Sequence, residues 1–453
     1  MLSHKIKKIS MAIIVLFVST TIASYIPGEF QSYFEFKVKN KKNIILISIS
    51  TLRYDHCSIA GYYRNTTEAF DKFASENIYF TNAFATSSWS MPATASVFTS
   101  KYPSQHGAKD ISAKLKNDNY TLAEVLTDNR YYCAGFCCNR RLTADAGFSQ
   151  GFDLYDDYTA EIMLESFSDS NEPFDISYYR TNDLINKAAI RWLNNNSHQP
   201  FFLFVHYFDN HIPYLPQRPY DKLYTENYIS PVDFTRVHRE PLHSNRPADK
   251  DFDYLIALYD GQVKQTDDDL SVLLKYITDA NLAENSVIIV MGDHGEQFYD
   301  HGRSSHHDIY DELTHVPLAM SLPAGKSKKI DALVSTTDIM PTILDLLEIQ
   351  IPPKLEGQTM MPVISGQTET LHDFIFIEYT GQAIKDKYAF RTPRLKYVFT
   401  ADQQYIYDLI NDPAEQIKIL AENFDDETKK QQQVFKKYLF DNGYLTAEQY
   451  KSD

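Results

Sequence analysis

Cysteine is scarce in this chain, with four residues in 453, too few for a disulfide scaffold at this length. Cys57, Cys133, Cys137 and Cys138 have no histidines at zinc-site spacing, and Cys137–Cys138 is a vicinal pair in an apolar stretch. All four therefore read as small buried hydrophobes. Glycine and proline are sparse as well, 15 and 19 residues, which excludes collagen-like and low-complexity material. Positive charge is in deficit: 44 Lys and Arg against 60 Asp and Glu give a net charge of −16. No basic patch interrupts that balance, so the surface repels phosphate backbones and no nucleic-acid partner is expected. No internal repeat stands out either.

What is present is an ordinary globular composition, 43% hydrophobic and 23% charged, on a chain long enough for one large α/β domain and a satellite. The N-terminus differs from the rest. Lys5, Lys7 and Lys8 precede an uncharged run from Ile9 to Ile26, with small residues near Ala23–Ser24. A basic segment, an apolar segment and small residues describe a secretory signal, and the run's length sits at the lower edge of a membrane span. Residues 1–26 are expected to be a signal peptide or membrane anchor. Either one places the body outside the cytoplasm, secreted, periplasmic or tethered through its N-terminus.

Downstream, buried apolar runs alternate with helical patterns. Ile44–Ile49, Tyr132–Phe136, Phe201–Val205 and Ser286–Met291 read as buried strands. Thr66–Ser75, Thr121–Thr127, Asp183–Leu193 and Asp253–Tyr276 read as helices. This alternation predicts a large, mostly parallel sheet covered by helices on both faces, over residues 38–362. Shorter strand-like pieces follow Pro362: Phe374–Tyr379, Tyr388–Thr392, Leu395–Phe399 and Tyr405–Asp408, then a helix over Asp426–Leu439. They predict a small antiparallel subdomain, residues 363–453.

Polar residues collect where the buried strands end, which is where ligands bind in parallel sheets. Ser50-Thr-Leu-Arg-Tyr-Asp-His56 leaves the first strand. Ser88-Trp-Ser-Met-Pro-Ala-Thr94 precedes Tyr102-Pro-Ser-Gln-His-Gly107. His206 to Tyr214, including His211, follows the third strand. Gly292-Asp-His-Gly-Glu296 follows the fourth and continues to His306 and His307. Carboxylates and imidazoles at strand exits suit a divalent cation. A hydroxyl just ahead of a proline and a helix start suits a nucleophile facing an anion.

Six stretches, in order, resemble the sulfatase family of the alkaline phosphatase superfamily: Asn43–Asp55, Thr99–Gly107, Met291–Glu296, Tyr310–Pro317, Thr337–Thr342 and Tyr407–Pro413. The resemblance implies an alkaline-phosphatase-like sandwich and hydrolysis or transfer of a sulfate or phosphate ester beside a divalent metal, whether Ca, Mg, Mn or Zn. Ser90 falls at the nucleophile position, Asp293 and His294 at metal-ligand positions. His211 and His306 fall where the family places groups around the leaving oxygen. The substrate expected is a small-molecule, glycan or lipid ester.

Two positions depart from the family pattern. Conversion of the nucleophile to formylglycine needs an arginine two residues after the proline, and Thr94 stands there, so Ser90 is expected to act as an unmodified serine. The strand Ile44–Ile49 should deliver a metal-binding aspartate, and the residue is Ser50, which removes one negative charge from a site for a dication. Asp55 is a conceivable substitute, or else an anchor of its loop. Ser50 and Thr94 together also raise the alternative of a sulfatase-like protein without activity that serves as a binding or scaffold module.

Overall fold

The chain from Asn43 to Ile49 forms the central strand β1, and all seven of its residues are buried. Its side chains alternate between faces, as a period of two requires. Ile44 and Leu46 join one apolar cluster while Ile45, Ile47 and Ile49 join another. β1 is therefore covered on both sides, which explains its continuous apolar run. The structure, a computed structural model, describes residues 41–158, 180–234, 244–380 and 386–451.

Seven further strands complete the sheet: β2 (Ile78–Phe84), β3 (Tyr132–Phe136), β4 (Leu154–Asp156), β5 (Phe201–Tyr207), β6 (Ser286–Gly292), β9 (Leu318–Ser321) and β10 (Lys328–Ser335). The small hairpin β7 (Gln297–Phe298) and β8 (Ser304–Ser305) lies outside it. The order is β10-β2-β9-β6-β1-β5-β3-β4. β9 runs antiparallel to both neighbours, and every other pairing is parallel. Helices Ser90–Thr99, Leu122–Asp128 and Ile339–Leu346 pack on one face. Helices Glu68–Glu76, Asn182–Asn196 and Asp249–Asp279 cover the other. This is the expected two-sided architecture. β2, β4, β9 and β10 carry shorter or less continuous apolar runs and were not anticipated.

A second sheet is antiparallel throughout, in the order β11 (Ile375–Tyr379), β12 (Lys387–Arg391), β13 (Leu395–Thr400), β14 (Gln404–Asp408), β15 (Ile419–Leu420). Ile375, Ile377, Tyr379 and Val398 on one face belong to the same apolar cluster as β1. Phe376, Phe390 and Phe399 on the other face pack with Phe435 and Leu439 of the helix Asp426–Asp441. The small sheet is thus fused to the large core rather than appended to it. Buried Lys396 reinforces the junction, at 2.6 Å from Asp311 and 2.7 Å from Glu415. The charge-free segment 9–26 lies outside the described residues. Among those described, no helix is long and apolar enough to cross a membrane.

Candidate active site

β1, β5 and β6 are parallel neighbours, so their carboxyl ends deliver Ser50, His206 and Asp293–His294 to one edge of the sheet. The Asp293 N–H bonds the Ile49 carbonyl at 3.1 Å, which ties the two exits together. From the adjoining face comes Ser90, the first residue of a ten-residue helix that is buried along its whole length. Its hydroxyl lies 3.4 Å from Ser50 Oγ and 3.2 Å from His294 Nε2. A helix N-terminus favours an incoming anion at that point.

The geometry fixes the His294 tautomer. Nδ1 lies 2.7 Å from the Gly295 carbonyl, which can only accept, so Nδ1 carries the proton and Nε2 presents its lone pair to the Ser90 hydroxyl. Burial, with the charge of His306, lowers the His294 imidazole to about 3, so it is neutral at physiological pH. Asp293 Oδ1 accepts from the N–H groups of Thr51 (3.1 Å) and His294 (2.7 Å). Oδ2 is buried without a hydrogen-bond partner. Burial raises this carboxyl against the opposing pull of His206, Ser90 and those two N–H groups.

Above the buried group opens a cavity of about 220 Å³ lined by Ser90, His211, His306, Trp89, Arg140 and Arg141, among others. The His211 and His306 rings are 5.1 Å apart, and the His294 and His306 rings 4.8 Å. His211 donates through Nδ1 to the Ile212 carbonyl at 2.8 Å. Burial, with the neighbouring charge of His306, pushes His211 well below its ordinary range. His306 Nδ1 meets buried Glu296 Oε1 at 3.2 Å. Burial alone would raise that carboxyl, but His306, with His211 and His294 beyond, holds it at about 2. The ionised Glu296 fixes His306 with Nε2 as its remaining ring nitrogen.

All six sequence-predicted site residues, Ser50, Ser90, His211, Asp293, His294 and His306, therefore meet in one place. Asp55 does not. It is exposed and paired with Arg53 at 2.7 Å, and it acts as the anchor of its loop. Sequence reading missed Asn139, Arg140 and Arg141, and it gave His206 and Glu296 no role although both stand in the strand-exit clusters. Asn139-Arg-Arg141 follows β3 directly, so its place after a buried strand was the signal available. His206 was expected in a loop, but β5 continues to Tyr207 and carries it into the sheet. There it is buried, Nε2 lies 3.3 Å from Asn139 Nδ2, and desolvation lowers it to about 4.

As a divalent-cation site, the residues present fall short. Asp293 supplies one carboxylate with a spare oxygen, Ser50 and Thr51 supply only hydroxyls, and His294 Nε2 is engaged by Ser90. Among the described residues no group of three or more His, Cys, Asp or Glu side chains is placed to hold a metal ion. One negative charge leaves a dication half compensated in a buried setting, which is costly.

Comparison with known proteins follows the same outline. Residues 42–349 match the family model described as sulfatase, and residues 297–441 match that of the N-sulphoglucosamine sulphohydrolase C-terminal region. The chain is 22% identical over 435 residues to a Delta 4,5-hexuronate-2-O-sulfatase of Bacteroides thetaiotaomicron, covering 85% of this chain and 88% of that protein. It superimposes on the phosphonate monoester hydrolase of Agrobacterium radiobacter with a TM-score of 0.71 at 20% identity, over 88% of this chain and 95% of the other. A structure solved with its substrate D-glucosamine-2-N,6-O-disulfate gives a TM-score of 0.72 at 16% identity, over 91% and 100%. At such identities the solved structures speak for the fold alone.

Proposed function

Since the chain belongs to the sulfatase family, we propose that it is an exported hydrolase that cleaves sulfate esters, on a glycan, with unmodified Ser90 as nucleophile. The observation that carries this reading is the 3.2 Å approach of Ser90 Oγ to the lone pair of a neutral His294, at the floor of a cavity rimmed by imidazoles and arginines. His294 Nε2 takes the Ser90 proton as Oγ forms its bond to sulfur. The bond from sulfur to the ester oxygen breaks, and that oxygen receives a proton from Nε2 of His306, whose Nδ1 is held by Glu296. Neutral His211 offers its Nε2 lone pair as an acceptor. A water molecule then attacks sulfur and gives one proton back to His306, the sulfur–Oγ bond breaks, and His294 returns its proton to Ser90 Oγ. Arg140 and Arg141 offset the charge on the sulfuryl oxygens. The relatives' printed substrates, a hexuronate 2-O-sulfate and a disulfated glucosamine, are the basis for naming a glycan.

The family uses a divalent metal. In this chain Ser50, Asp293 and His294 are the residues that would hold one, with Asp293 as the sole negative charge. None of the steps above passes through it. That single charge also favours a second reading, a sulfatase-like binding module without turnover.

Wild type and Ser90→Ala, assayed on an aryl sulfate with and without added divalent metal, separate the two. The hydrolase reading expects turnover that falls at least ~10³-fold in Ser90→Ala, and a mass for the Ser90 peptide equal to unmodified serine. Loss of two hydrogens at residue 90 sinks the unmodified nucleophile. Absence of turnover under every metal condition sinks the hydrolase.

A further inference from the structure

A second, larger cavity has no part in the site just described. It encloses about 830 Å³ and is walled by the loop Tyr62-Tyr63-Arg64, the segment Tyr224–Tyr228 and the start of the helix Asp249–Asp279. That volume lies in the range of built ligand sites, roughly 300–1,000 Å³.

Its lining is aromatic to an unusual degree, with Tyr62, Tyr63, Tyr224, Tyr228, Tyr254 and Phe252 all contributing. Three of the phenols are already tied to protein. Tyr62 Oη donates to Asp260 at 2.7 Å, Tyr224 Oη to the Asn65 carbonyl at 2.7 Å, and Tyr228 Oη to Asp251 at 2.7 Å. What these residues offer a ligand is therefore ring surface held in place, at little further entropic cost. The faces on offer are those opposite Arg64, which lies over Tyr63 and Tyr224 at 5.0 and 5.3 Å, and opposite Lys250, which lies over Tyr228 at 4.0 Å. Tyr63 remains 75% exposed, more than a packing role requires.

The charges decide the kind of ligand. Arg53 is compensated by Asp55 and Asp300, and Arg64 by Asp260. The rim then carries one cation, Lys250, whose Nζ sits 4.0 Å over the Tyr228 ring, and two carboxylates, Glu226 and Asp253, all three exposed. A cavity whose cations are matched from within has no surplus positive charge for a polyanion. The turn at its mouth is also strained: Glu226 and Asn227 are consecutive non-glycine residues at φ 50° and 62°. Such conformations persist where the surroundings over-determine them and cluster at ligand sites.

We propose that this cavity binds an uncharged saccharide segment, whose C–H faces stack on the tyrosine rings while its hydroxyls bond Asp253, Glu226 and Asn227. The assignment rests on this cavity alone and holds whether or not Ser90 turns over an ester.

The test is calorimetric titration of the full-length protein with uncharged tetrasaccharides (cellotetraose, maltotetraose and N-acetylchitotetraose) beside a sulfated tetrasaccharide. We expect saturable binding of at least one uncharged probe. It should weaken at least ten-fold in Tyr228→Leu and Tyr224→Leu but persist in Tyr228→Phe, which keeps the ring and drops only the tied hydroxyl. Asp253→Ala, on an exposed helical turn where folding is not at stake, should weaken binding several-fold. Ser90→Ala, in the other cavity, should leave it unchanged. The proposal is overturned if no uncharged probe binds. It is equally overturned if binding survives both leucine variants and Asp253→Ala, or if the component of sulfated-probe binding that Tyr224→Leu and Tyr228→Leu remove is tighter than that of the uncharged probes.

Discussion

Replacing Ser50 by aspartate tests the charge deficit directly. The Ser50 hydroxyl is 3.4 Å from Ser90 Oγ, which in turn reaches His294, so a carboxylate at residue 50 would face the same small volume as Asp293. A carboxylate oxygen about 2.3 Å from a dication gains about 14 kcal/mol at an effective dielectric near 20, about 7 for each of the ion's two charges. Taking that carboxylate out of water costs several kcal/mol. Stripping water from the ion as well offsets most of the remainder, and the net should leave divalent ions bound roughly ten- to a hundred-fold more tightly, about 1.4 to 2.8 kcal/mol. Without metal the sign reverses. Two buried carboxyls side by side repel, and Asp293 is already raised by burial, so the metal-free variant should melt below wild type. Melting temperature and calorimetric affinity across Ca, Mg, Mn and Zn read both effects. Metal affinity unchanged from wild type, together with an undisturbed metal-free melt, would show that residue 50 does not face Asp293 and His294, and the site assignment would fall.

Three other outcomes are expected. Arg141→Ala removes a cation from the cavity wall and should raise KM for a sulfate ester about ten-fold or more; a kcat change at constant KM would refute its anion-holding role. Burial pushes the Glu378 carboxyl up to about 7 against the hydrogen bonds it accepts from Ser104. The folded chain therefore keeps a proton that the unfolded chain releases near 4.5. The stability tied to that proton is whole below pH 4.5, and about 3 kcal/mol of it is lost as pH rises through 7. Glu378→Gln should lose less stability than wild type between pH 5 and 8, and a pH-independent difference between the two would count against the assignment. Finally, residues before Pro27 fused to a reporter active only outside the cytoplasm should yield activity; a silent fusion removes the export step.

Much of this protein was legible as sequence because its central strands are buried on both faces. A strand such as Asn43–Ile49, with neighbours and helices on every side, must be apolar along its length, and that run announces itself. The residue after such a run stands at the carboxyl edge of a parallel sheet, which is why Ser50 and Asp293–His294 could be placed together before any coordinates. β2, β9 and β10 lie toward one side of the sheet, where interrupted patterns such as Lys328–Ser335 suffice, and they gave no comparable signal. The pairing of Ser90 with His294, the tautomer set by the Gly295 carbonyl, and the grip of Glu296 on His306 depend on distances of about 3 Å between residues up to 204 positions apart. The same holds for the tyrosine-lined cavity, assembled from three segments whose rings mean nothing until they face each other. Strand burial is written locally because every residue of the run meets the same apolar surroundings, whereas the chemistry of a site depends on which lone pair meets which proton, and only the folded chain decides that.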